Sequence, residues 1–131
     1  MEIPEHHKHA VIPHIMVDGA AKAIAFYEVA FGATEYLRLE TDGGRIYHAE
    51  IGIAGSTLML SDPEPPFAVP GGGWTSVVLH VYVPDVDAVT AQAVAAGAEL
   101  LTPAADMPYG IRQSMLRDPF GHVWILLTPL P

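Results

Sequence analysis

The chain has no cysteine. Disulfide staples, thiolate nucleophiles and cysteine-bound metals are therefore excluded. Positive charge is scarce: six Lys and Arg stand against fifteen Asp and Glu, for a formal net charge of -9. Nucleic acid recruits Lys and Arg to its phosphates, so it is not an expected partner. The same charge leaves a cationic ligand open. No apolar run is long enough to span a bilayer. Residues 1–8 lack the apolar centre of a secretory signal. A cytoplasmic protein with no membrane partner is the expectation. There is no Ser-His-Asp order, phosphate loop or dinucleotide fingerprint.

What the chain does have is an apolar half, enough for one continuous core over 131 residues. It also has a repeat. Gly44, Gly55 and Pro63 recur as Gly110, Gly121 and Pro129, each 66 residues on. His14 and Val17 recur as His80 and Val83 at the same interval. Two copies of one unit are the simplest reading. Residues 1–10 form a flexible N-terminal segment, in which His6, His7 and His9 are read as a frayed end. The first unit spans 11–61, a Pro/Gly-rich linker 62–75, and the second unit 76–131.

Within the first unit, residues 11–17 read as a strand. Residues 20–31 read as a helix, with Ile24, Tyr27 and Phe31 on one face and Gly32 as C-terminal cap. Strands follow at 33–40, 45–53 and 56–60, the first two joined by the turn Asp42-Gly43-Gly44. The second unit repeats the order: strand 76–83, helix 86–96 capped by Gly97, strand 99–102, a loop 104–110 holding Tyr109, then strands 111–117 and 122–128. Asp118-Pro119-Phe120-Gly121 is the turn feeding the last apolar run. Trp124 is assigned to the helix-covered side of that run. Arg112 and Arg117 are expected to pair with acids or, alternatively, to bind an anion. The fold class is α+β, with paired βαβββ modules forming a curved mixed sheet and one open, concave face.

Several segments carry a family likeness: Val17-Asp18-Gly19-Ala20, with the helix as far as Tyr27; Ala30-Phe31-Gly32-Ala33; His48-Ala49-Glu50; and Asp118-Pro119-Phe120-Gly121-His122-Val123-Trp124. Together they resemble the vicinal oxygen chelate superfamily, which includes glyoxalases, bleomycin resistance proteins and dioxygenases. The likeness is greatest to its PhnB-like branch. The resemblance implies a homodimer, and a divalent metal held by one ligand from each of four strands. Those four positions fall here on Ile12, Met59, Val78 and Ile125. All are apolar, and a thioether is a poor ligand for hard ions.

His14 and His80 lie two residues beyond Ile12 and Val78, and so on the same strand faces. Pseudo-symmetry would bring the two imidazoles towards a shared axis. The reading that follows is metal-independent binding and sequestration of a hydrophobic or aromatic small molecule, resembling antibiotic-resistance binding proteins. Its wall would be Ile12, Met59, Val78 and Ile125. Phe67, Trp74, Tyr82 and Tyr109 would stack on the ligand, and His14 and His80 would orient its polar edge. The alternative is a metal-dependent glyoxalase-like lyase, isomerase or dioxygenase. It would have a displaced Zn, Mn, Fe or Ni site at His14, His80 and either Glu50 or His48, with Glu50 available as a general base.

Overall fold

The computed structural model describes residues 2–131, so Met1 of the N-terminal segment lies outside the described residues. Both halves follow the expected order. The first contains β1 (His14–Met16), α1 (Ala20–Phe31), β2 (Thr34–Glu40), β3 (Ile46–Ile53) and β4 (Ser56–Ser61). The second contains β5 (Val78–Tyr82), α2 (Val86–Ala96), β6 (Glu99–Met107), β7 (Ile111–Arg117) and β8 (Val123–Pro129). The strands form two four-stranded sheets, ordered β1-β4-β3-β2 and β5-β8-β7-β6. Each is mixed, because its first strand runs parallel to its last while the others are antiparallel.

Both helices have the expected limits, and the reason is their small residues. Ala20, Ala23, Ile24, Tyr27 and Ala30 are fully buried on one face of α1, at helical spacing. Alanine brings the helix axis close to the sheet without side-chain entropy loss. Gly32 ends α1 in the left-handed conformation (φ 69°), with its N–H on the Glu28 carbonyl, where glycine escapes the Cβ penalty. The strand limits depart furthest from expectation at β1 and β6. β1 begins at His14, after Pro13, which has no N–H to give a ladder. β6 continues to Met107 through Pro103, with pairing that shifts between Thr102 and Ala105. A proline is tolerated at such an irregularity on an edge strand.

The repeat is also visible in how each helix is started. Gly19 and Ala20 both give their N–H to Asp62 Oδ1, at 2.9 and 3.0 Å, while Ile46 gives its N–H to Oδ2 at 2.8 Å. In the second half, Val86 gives its N–H to Thr128 Oγ1 at 3.1 Å. Thr128 lies 66 residues after Asp62, as Val86 does after Ala20. Each helix N-terminus is thus capped from the end of the strand that closes its own sheet.

The halves are joined through the β7–β8 turn. The Asp118 carboxylate is 3% exposed. It accepts from Tyr27 Oη of α1 at 2.6 Å, from Trp124 Nε1 at 2.9 Å, and from the backbone N–H of Phe120 and His122. His122 Nε2 reaches the Met16 carbonyl of β1 at 2.7 Å. Trp124 is buried on the helix side, as expected. Its ring lies 4.7 Å from that of Phe31 and 5.5 Å from that of Tyr27, both on the other half's helix. Burial, and then the Asp118 charge, push the Tyr27 hydroxyl well above its ordinary pKa, so it remains a donor.

One departure from strict repetition matters for the site. Met59 and Ile125 are 66 residues apart, but their β3 and β7 partners, Glu50 and Met115, are 65 apart. The β7–β8 turn places Pro119, Phe120 and Gly121 inside the Asp118–His122 pair, where the β3–β4 turn has only Ala54 and Gly55. The first half regains the residue at Tyr47, left unpaired between Ile46 and His48. A one-residue slip turns a strand over. The middle of β3 therefore presents His48 and Glu50 to the open face, where β7 presents Gln113 and Met115.

Two stability measurements follow. Tyr27→Phe keeps the ring and removes one donor to Asp118, with an expected loss of about 1–2 kcal/mol. Asp118→Ala leaves the Tyr27 hydroxyl and the Trp124 N–H without an acceptor and should cost about 3 kcal/mol or more. Urea unfolding of both variants reads this directly, and an unchanged midpoint for both would remove Asp118 as the joint. Burial opposes ionisation of Asp62, but three backbone N–H donors and Arg45 outweigh it and hold its carboxyl below the ordinary value. That stabilisation is present above the unfolded carboxyl value and is lost as pH falls through the lower folded one. The gap in urea midpoint between the native chain and Asp62→Asn should be wide at pH 7 and narrow at about pH 3.

Candidate ligand-binding site

Strand alternation divides each sheet into a helix-covered face and an open one. On the first sheet, Ala49, Ile51, Leu58 and Leu60 go to the core. His14, Met16, His48, Glu50, Met59 and Ser61 go to the open face, in the register His14 beside Met59 beside Glu50. Polar groups gather there in two linked pairs. His14 Nε2 lies 2.8 Å from Ser61 Oγ, which itself lies 3.5 Å from Met16 Sδ. His48 Nε2 lies 2.8 Å from Glu50 Oε2, and Glu50 is only 7% exposed. The His14 and His48 rings stand 5.6 Å apart. Burial, and then neighbouring His48, hold the His14 imidazole below its ordinary pKa. Neutral at pH 7, it offers one donor and one acceptor.

Beside His14 opens a cavity of about 350 Å³. Met16, Ser61 and Asp62 form its inner wall, and Arg45, Tyr47, Glu64 and Phe67 form its rim. Phe67 and Tyr47 are exposed; the former is carried by the linker, the latter by the unpaired position of β3. At the far end of the face, the Tyr36 ring lies over Gly52 so closely that it leaves no room for a β-carbon there.

A second cavity, of about 560 Å³, lies between the N-terminal segment, the start of β4 and β5. Its lining includes Ile12, His80, Tyr82 and Trp124. His7 Nε2 lies 3.1 Å from Thr57 Oγ1 and ties the N-terminal segment along this wall. On the open face of the second sheet, His80 is paired with Ile125, and Val78 with Val123. The positions equivalent to Ser61, His48 and Glu50 are Leu127, Gln113 and Met115. The polar cluster is therefore confined to the first half.

The candidate residues thus divide between two places. His14 and Phe67 line the smaller cavity, with Met59 on the adjoining face; His80, Tyr82 and Ile12 line the larger one. The imidazole standing beside His14 is that of His48, not of His80. Trp74 and Tyr109, at 83% and 62% exposure, stand on the outer surface and line neither cavity. Among the described residues, no three His, Asp or Glu side chains converge as a metal set. Arg112 meets Asp87 and Asp106, and Arg117 meets Glu99. Ser61, Tyr47, Arg45, Asp62 and Glu64 are the cavity residues that the sequence reading left out. Ser61 was within reach, since it follows Met59 by two on the same strand. Tyr47 was not, because only the slip at β3 sets it against the cavity.

Among the described residues, no helix is long and apolar enough to cross a membrane. A protein-family model described as the Glyoxalase/Bleomycin resistance protein/Dioxygenase superfamily matches residues 7–126. An uncharacterised protein of Mycobacterium bovis is 41% identical over 129 residues, covering 92% of this chain and 84% of the relative. Of the solved structures, TioX from Micromonospora sp. ML1 is similar with a TM-score of 0.74 at 29% identity, covering 93% of this chain and 97% of that one. A PhnB protein from Bacillus cereus shares the fold at a TM-score of 0.70 and 21% identity, covering 92% of this chain and 99% of that one. Two βαβββ units with this topology, and a family match running from the N-terminal segment into β8, establish that the chain belongs to the glyoxalase, bleomycin resistance protein and dioxygenase superfamily.

Proposed function

We propose that this protein binds and sequesters a hydrophobic or aromatic small molecule without a metal, on the open face of the first sheet. One observation carries the reading: the cavity at His14 sets Met16 and the exposed rings of Tyr47 and Phe67 beside a small polar cluster. Apolar pockets with a few placed hydrogen-bonding groups are the usual form of small-molecule sites. Met16, Met59 and Phe67 supply adaptable contact area, and Ser61 and His14 supply direction.

The donor chemistry speaks against a metal at the same place. The family's four ligand positions carry Ile12, Met59, Val78 and Ile125. His14 is engaged with Ser61, and His48 with Glu50. His80, the second residue of a displaced site, lines the other cavity. Protein metal sites mostly need three protein ligands, and these four residues do not supply three to one point. No catalytic step is assigned to Glu50.

We also assign a second copy of the chain as the cover for the open faces. Val78 and Tyr82 are exposed on the second sheet, and apolar side chains gathered on one face mark an interaction surface. Sedimentation equilibrium at micromolar concentration should give twice the chain mass.

For the ligand site, N-phenyl-1-naphthylamine is a neutral planar reporter. Its fluorescence should rise saturably with protein, and Zn²⁺ or Mn²⁺ should leave the affinity unchanged. Met59→Glu places a charge on the open face beside His14 and should weaken binding by about tenfold, or roughly 1.4 kcal/mol. No saturable binding by the native chain, or dependence on added metal, would count against the proposal.

A further inference from the structure

Resting on that binding reading, the hydrogen bonds of the first open face can be followed atom by atom. Ser61 has one O–H, and the sulfur of Met16 can only accept it. The Ser61 oxygen is then left as acceptor towards His14, so His14 Nε2 carries the ring's N–H. In a neutral imidazole the other nitrogen, Nδ1, keeps its lone pair. The same logic holds across the second pair. An ionised Glu50 has no proton to give, so His48 Nε2 donates to it and a neutral ring keeps its lone pair on Nδ1. The two rings stand 5.6 Å apart, and in its neutral form each keeps one bare acceptor. Burial disfavours a charge on His14.

Acidic groups outnumber basic ones around the pair. Glu50 is buried with His48 as its partner, and Asp62 and Glu64 line the adjoining cavity. The nearby cation, Arg45, is held by the Pro63 carbonyl and Glu64. The other three arginines each face acids. An anionic or acceptor-only edge placed here would meet lone pairs and carboxylates without a free guanidinium. A planar edge with two diverging N–H groups would meet acceptors, with contacts of about 3 Å, and a positive charge on it would be favoured by the acids.

We propose that the His14–His48 pair selects ligands whose aromatic body ends in a flat edge of paired hydrogen-bond donors, a cationic amidine being the class that fits. The apolar cavity takes the ring system and the two imidazole nitrogens take the edge. The equivalent face of the second half has Gln113 and Met115 in place of His48 and Glu50 and cannot offer the same pair.

The test uses three probes sharing one ring system: 2-amidinonaphthalene, 2-naphthoate and naphthalene, titrated calorimetrically or by fluorescence. The native chain should bind the amidine at least tenfold more tightly than the carboxylate. His48→Leu should abolish that preference, read as the ratio of amidine to naphthoate affinity. Glu50→Gln, nearly isosteric, should reduce it, and this keeps the test usable if His48→Leu does not fold. Equal affinity for the two edges, a preference for naphthoate, or a preference that survives both substitutions would overturn donor selection. Naphthalene binding in those cases would leave the sequestration reading standing. If none of the three naphthalenes nor N-phenyl-1-naphthylamine binds, both readings fall.

Discussion

The arrangement of the two halves depends on one buried carboxylate. Asp118 receives a hydroxyl from α1, an indole N–H from β8 and two backbone N–H groups from its own turn. Taking such a group from water is costly unless its lone pairs are filled, and here four donors fill them. The geometry is demanding because the donors come from both halves. Satisfying Asp118 fixes where α1 lies against β8, and hence where the open face of the first sheet points. The aromatic contacts of Phe31 and Trp124 then exclude water from around it. His122, from the same turn, holds the Met16 carbonyl, so the turn reaches directly into the strand that carries His14.

Much of this was legible in the sequence, and for an identifiable reason. Glycines and prolines fix turns by backbone geometry alone. The 66-residue interval between Gly44 and Gly110, or between Gly55 and Gly121, therefore reported the duplicated fold without any knowledge of packing. The helix limits were legible because alanine-rich segments ended by glycine admit few other readings. The polar cluster was harder to see. His48 and Glu50 stood out as a pair on one face of a strand, but which face depended on the slip between β3 and β7. The landmarks on either side keep the same interval, so they conceal it. Spacing from Met59 could place Ser61 on the face of His14, but not His48, whose strand turns over at the slip.

Trp74 and Tyr109 teach a related lesson. Both are large aromatics in segments rich in glycine and proline, which is the composition of ligand-clasping loops and of ordinary surface turns alike. Composition does not separate the two. The separation comes from the linker's path: it brings Phe67 to the cavity rim beside His14 and carries Trp74 away from it. The amphipathic rings that a ligand could meet here are those nearest the end of β4, where the chain has just left a buried strand and has little freedom to wander.

The capping of α1 by Asp62 has a further consequence, concerning time rather than space. The helix leaves the ribosome before the residue that completes its first turn, since Ala20 and Asp62 are 42 positions apart. Tyr27 waits longer still, with 91 positions separating it from Asp118. During synthesis the first helix therefore stays provisional twice over. It is settled against its own sheet only when β4 has been made, and against its neighbour only when the second half is almost finished. A chain built in this order has its most demanding polar contact among the last to form, so that one late event closes the whole molecule.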